Sequence, residues 1–91
     1  MKKLETLIKN KTAKISIIGL GYVGLPLAIK FSSLGFEVYG FEKDQNKIQD
    51  LNKSKIYVDT IKKDDFIKVK NKKFKYSSNK AILSKCDIHI I

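Results

Sequence analysis

Apolar and polar positions along this chain switch between two periods. Leu4, Leu7 and Ile8 fall at i, i+3 and i+4, so residues 2–9 read as one short amphipathic helix. Such a helix is marginal alone in water and has to dock. "KISIIG", from Lys14, is a continuous isoleucine-rich run closed by glycine, the pattern of a buried strand. "YVGLPLAIKFSSLG" then follows the helical period from near Tyr22 and stops at Gly35, a residue suited to close a helix. Pro26 falls in the first turn or just beyond it, where its missing N–H has no intrahelical acceptor to lose. "FEVYGF", Phe36 to Phe41, alternates with β-branched and aromatic residues and predicts a second strand. Asp44 then caps a helix over "QNKIQDLN", with Ile48 and Leu51 on one face.

The second half is less regular. "KIYVDT" is either a brief extended piece or a loop. Asp59 or Thr60 is placed to cap a helix over "IKKDDFIKVKN", whose apolar spacing is only partly amphipathic. "KFKYS" puts Phe74 and Tyr76 on one face of a third strand. Asn79 is the predicted N-cap of a short helix holding Ala81, Ile82 and Leu83, and "DIHII", Asp87 to Ile91, is a fourth strand. The order β-α-β-α-α-β-α-β is that of an α/β domain with a parallel sheet and crossover helices.

The glycines refine that class. Gly19, Gly21 and Gly24 spell G-x-G-x-x-G between a predicted strand and a predicted helix, the context that turns a weak pattern into a dinucleotide fingerprint. Gly19 makes the tight turn, Gly21 lets a pyrophosphate approach the backbone, and Gly24 lets the helix pack on the strand. The phosphates are expected on the free N–H groups of Tyr22 and Val23, at the positive end of the helix dipole. Glu42 lies 21 residues past Gly21, at the end of the second strand, where an acidic side chain meets the adenosine ribose hydroxyls. Its charge repels a 2′-phosphate and favours NAD over NADP, although Lys43 and Lys47 pull the other way.

The predicted fold is thus a Rossmann-type doubly wound parallel sheet of strand order 3-2-1-4. In that order the fourth strand lies beside the first and expects a fifth on its other side. Ile88, Ile90 and Ile91 suit a buried strand better than an edge. The chain therefore reads as a fragment, the first half of a larger domain: residues 1–13 as an N-terminal helical extension and 14–91 as a partial nucleotide-binding domain. Self-association is expected from the unpaired fourth strand.

Composition changes the picture only at the margins. Ninety-one residues with 43% hydrophobic content make one domain with a modest core. The net charge of +10 comes from lysine alone, without arginine. A basic balance raises polyanion binding as an alternative, but base reading leans on the bidentate arginine fork, so no nucleic-acid partner is expected. A single cysteine allows no internal disulfide and fits a cytoplasmic setting. No apolar run approaches the ~20 residues of a membrane span, so no membrane partner is expected. Cys86 reads as an apolar packer and His89 as a satisfied core or edge histidine. Neither has neighbours at metal-ligand spacing. Asp64 and Asp65 are adjacent and diverge on a helix, so no acid–base pair is assigned.

At "GLGYVGLPLA", Gly19 to Ala28, the chain resembles the N-terminal part of the UDP-glucose/GDP-mannose dehydrogenase family. The likeness continues through "GFEVYGFEKDQNKIQDLN", where the family's acid is usually aspartate and Lys47 matches a basic residue that helps hold the adenosine end. "FKYSSN" resembles the family's strand ending in Thr-Thr-Asp, and "CDIHII" the strand leading into its Val-Pro-Thr-Pro loop. The prefix "ETLIKNKTAK" and "YVDTI", Tyr57 to Ile61, are similar to the UDP-N-acetylglucosamine 6-dehydrogenase branch, with Thr60 where that branch has histidine. The resemblance implies an NAD-dependent, two-step oxidation of a sugar C6 alcohol to the acid. It also implies a catalytic cysteine with lysine, asparagine and aspartate helpers, none of whose positions occurs here. No catalytic residue is therefore assigned, and the nucleotide sugar is expected as a partner only of the complete enzyme. A non-catalytic dinucleotide-binding module is the alternative reading from a different class.

Overall fold

The computed structural model describes residues 13–90. The helix expected over residues 2–9, and Ile91, lie outside them. Four parallel strands, β1 (Lys14–Ile18), β2 (Glu37–Phe41), β3 (Phe74–Ser77) and β4 (Ile88–Ile90), form one sheet of order β3-β2-β1-β4. This is the predicted 3-2-1-4 arrangement. Register pairs Ile15 with Val38 and Ile88, and Val38 with Phe74. Because strand side chains alternate, one face carries Ile15, Ile17, Val38 and Phe74, all buried. Against it pack Leu25, Ala28 and Ile29 of α1 (Gly24–Ser33), Leu51 of α2 (Gln45–Asn52) and Phe66 and Val69 of α3 (Lys63–Val69). Phe66 meets Phe74 edge-on with centroids 6.2 Å apart, the arrangement in which a ring's positive edge faces its neighbour's negative face.

Helix ends explain where the elements stop. α1 closes in a Schellman motif: Gly35 sits at φ +104°, its N–H donates to Ser32 O (3.0 Å), and the Phe36 N–H donates to Phe31 O (3.1 Å). The rings of Phe31 and Phe36 seal the motif in a T-shaped contact. Phe36 is thereby used to close the helix, so β2 begins one residue later than the alternation predicts. At the other end α1 starts at Gly24, two residues after the expected Tyr22, and Pro26 is its third residue. Asp44 caps α2 by accepting from the Asn46 N–H (2.9 Å).

The predicted cap of α3 is wrong. Neither Asp59 nor Thr60 caps it; Lys62 does so without a side-chain bond, and the helix spans only Lys63–Val69. A turn in which Ile61 N–H donates to Val58 O (3.1 Å) precedes it. That turn sets Val58 into the core, and burying Val58 outweighs the gain of a capped extra turn. Asp64 and Asp65 instead support the helix from its first turn through the dipole. The short segment capped by Asn79 is a 3-10 helix, Lys80–Lys85. It lies on the crossover from β3 back to β4, which right-handedness sends over the opposite sheet face. On that face Ser16 is fully buried, donating to Ile88 O (3.3 Å) and meeting His89 Nδ1. His89 is an exposed residue of β4, and Ile88 and Ile90 are half-buried.

Candidate dinucleotide site

The carboxyl ends of β1 and β2 open into a cavity of about 350 Å³. Six of the seven residues singled out in the sequence line it: Gly19, Gly21, Val23, Gly24, Glu42 and Lys47. The seventh, Tyr22, lines an adjoining cavity of about 300 Å³ together with Gly21, Lys47 and Tyr57. Lys47 thus stands between the two.

Each fingerprint glycine is present for a different reason. Gly19 leaves β1 at φ +90°, a conformation that side chains disfavour, and its N–H donates to Phe41 O (2.8 Å). At Gly24 an added Cβ would lie 1.9 Å from Gly19 O and 3.2 Å from Ile17 Cγ2. Hydrogen alone lets α1 rest on the turn. Gly21 differs: an added Cβ would meet nothing within 4 Å, and its φ lies outside the left-handed region. Nothing in the described protein requires a glycine there. The space is open for a ligand.

Tyr22 and Val23 are 80% and 79% exposed. Neither amide donates to another described residue, whereas Leu25 N–H donates to Gly21 O and Leu27 N–H to Val23 O. They are among the orphan donors of a helix start, and the first turn of α1 carries no acidic residue to compete for them. An anion is favoured there by both hydrogen bonding and the helix dipole.

Glu42 does more than the sequence predicts. It is only 6% exposed. Its Oε1 accepts from the Leu20 N–H (2.8 Å) and its Oε2 from the Asp44 N–H (3.0 Å). The Lys47 ammonium lies 3.9 Å from Oε1. These contacts offset the desolvation of a buried carboxylate. A carboxylate has about four lone-pair sites, so two bonds leave capacity for ribose hydroxyls. Lys47, half-exposed, also sits 5.9 Å from the Tyr57 ring centre.

Two residues escaped the sequence reading. Tyr57, within the ambiguous "KIYVDT", donates its hydroxyl to Leu20 O (2.7 Å). Burial, then the carboxylates of Glu42, Asp50 and Asp44, push its pKa well above that of an ordinary tyrosine, so it remains a donor. Gly40 in β2 leaves room for Leu20: an added Cβ would lie 2.8 Å from a Leu20 methyl and 3.1 Å from Phe74 Cε1. A glycine inside a strand is the available signal for such close approach. Apart from its place in the branch-like "YVDTI", Tyr57 offers no signal of this contact. Elsewhere, burial pushes the Cys86 thiol pKa up, away from the thiolate that a nucleophile needs. Among the described residues, no three His, Cys, Asp or Glu side chains gather into a metal site.

Fold and site together define a Rossmann-type dinucleotide-binding domain. The NAD binding domain of the UDP-glucose/GDP-mannose dehydrogenase family matches residues 13–91, and the chain belongs to that family. It takes NAD as its cofactor. A UDP-N-acetyl-D-mannosamine dehydrogenase of Campylobacter jejuni is 43% identical over 49 residues, covering 54% of this chain and 12% of that protein. A UDP-N-acetyl-D-glucosamine 6-dehydrogenase of Pseudomonas aeruginosa is 33% identical over 82 residues, covering 89% and 18%. The solved structure of a UDP-N-acetyl-mannosamine dehydrogenase from Staphylococcus aureus superposes with a TM-score of 0.75 at 28% identity, covering 85% of this chain and 19% of that one. The chain spans less than a fifth of the length of each of these relatives.

Proposed function

We propose that the chain receives the diphosphate of NAD on the amides of Tyr22 and Val23, with Glu42 and Lys47 receiving the adenosine ribose. In this reading it is the coenzyme-binding part of an enzyme that oxidises the C6 alcohol of a UDP-N-acetylhexosamine to the uronic acid. NAD supplies the hydride acceptor for that chemistry. This chain's own residues bind and orient it. The observation that carries the reading is Gly21, whose missing Cβ serves no contact within the described protein and which lines one cavity with Val23 and the buried Glu42. The names of the relatives support the sugar class. With no assigned catalytic side chain to stabilise charge in a transition state, the chain by itself is expected to bind and not to turn over.

Thermal and urea unfolding with and without NAD tests the binding. Coenzyme at ~100 times its dissociation constant should add about 2.7 kcal/mol of stability. An unmoved transition with NAD and NADH, alongside a salt-sensitive shift with heparin, refutes it in favour of a lysine-driven polyanion binder.

A further inference from the structure

Leu20, between the first two fingerprint glycines, is held on three sides. Its side chain is fully buried against Gly40. Its N–H is taken by Glu42 Oε1 at 2.8 Å. Its carbonyl is taken by the Tyr57 hydroxyl at 2.7 Å, from the loop between α2 and α3. The two hydrogen bonds reach the turn from different elements, 22 and 37 residues away in sequence. In a trans peptide the carbonyl and the following N–H point to opposite sides, and no described peptide is cis. Fixing the Leu20 carbonyl on Tyr57 therefore directs the Gly21 N–H away from Tyr57 and sets the path of the chain into Tyr22 and Val23. The exposed side chains of those two residues give little packing to hold that path.

We propose that Tyr57 is a positioning residue for diphosphate binding, its hydroxyl fixing the Leu20 carbonyl so that the open amides after Gly21 are presented in one arrangement. The inference rests on the NAD reading above. It assigns to the loop after α2 a part in the coenzyme site although Tyr57 is not required to touch the coenzyme. Preorganised donors bind an anion without first being ordered, so loss of the clamp costs affinity for the diphosphate and not for the nucleoside.

The test is Tyr57→Phe in the full 91-residue chain, titrated calorimetrically with NAD, ADP and adenosine. The ring stays, so the contact with Lys47 and the fold are expected to persist, as circular dichroism will show. Removing one hydrogen bond should weaken NAD and ADP by about 3- to 10-fold and leave adenosine within about two-fold. In the ligand-free chain, the 15N heteronuclear NOE of Gly21 and Tyr22 should fall in the variant. Equal losses for ADP and adenosine, unchanged NAD affinity, or unaltered NOE values each overturn the role given to Tyr57. A wild-type chain that binds neither NAD nor ADP overturns the NAD reading itself, and this inference with it.

Discussion

Gly21 and Gly24 lie three positions apart in one motif, yet the structure assigns them opposite liabilities. In Gly24→Ala the new methyl group would sit 1.9 Å from Gly19 O, where real Cβ contacts essentially never fall below 3.0 Å. The shortfall of 3.0 − 1.9, or 1.1 Å, is set against backbone atoms, which cannot swing aside as a side chain would. Relief requires α1 to lift from the turn, opening the packing of Leu25 and Ala28, both fully buried, on the sheet. Overpacking of this kind costs about 1–3 kcal/mol or more, and the rigidity of the obstacle puts Gly24→Ala at the upper end, ~3 kcal/mol. For a domain of this size that is a large share of a total near 5–10 kcal/mol. In Gly21→Ala the methyl meets nothing, so stability should stay within about 0.5 kcal/mol of wild type, while the methyl enters the space of the diphosphate. Urea unfolding followed by circular dichroism, with and without NAD, separates the two. Gly24→Ala should shift the midpoint down without coenzyme. Gly21→Ala should leave the apo midpoint in place and abolish most of the shift that NAD produces. If Gly21→Ala retains the full NAD shift, the proposed approach of the diphosphate is wrong. If Gly24→Ala is as stable as wild type, the packing of α1 on the turn is not as described.

Two further outcomes follow from the side chains that flank the turn. Glu42→Gln keeps the shape of the side chain but leaves one acceptor oxygen for the two amides of Leu20 and Asp44. It should cost about 1–3 kcal/mol in urea unfolding and weaken NAD, and an unchanged midpoint would deny Glu42 its bracing role. Tyr57 has a folded-state pKa raised by burial above its ordinary value of 10.0. Its contribution is therefore complete below about pH 10 and lost as pH rises further, because the unfolded chain releases the proton first. Unfolding midpoints measured from pH 9 to 11 should fall more steeply for wild type than for Tyr57→Phe, and parallel curves would refute this.

The parts of the fold legible in the sequence share a cause: each rests on local chemistry. Asp44 and Asn79 cap because a short polar side chain reaches an amide two residues on. Gly35 ends α1 because only a residue free of Cβ accepts its conformation cheaply. The turn made by Gly19 and the close packing at Gly24 follow from the same local chemistry, and the place of Glu42 at the end of β2 from its spacing, whereas Lys47 enters only through the family resemblance. The failures occur where a distant contact overrides a local preference. Val58 draws its turn into the core, and Asp59 and Thr60 lose the cap that either could have formed. Tyr57 reaches Leu20 across 37 residues, a pairing that no periodicity encodes. The burial of Glu42 was missed similarly, since its spacing suggested a group facing a ligand, and the amides that enclose it come from two separate loops.

Gly40 ties these observations to the mechanics of the site. Because Leu20 nests over a bare position on β2, the anion-binding loop is keyed to the neighbouring strand as well as to its own. In the proposed site, a slip of β2 against β1 is therefore expected to move Leu20 and, with it, the coenzyme cradle. On that reading the alignment of two ribbons of backbone becomes part of the recognition apparatus, and a side chain grafted onto Gly40 is expected to detune the cradle from behind without entering it.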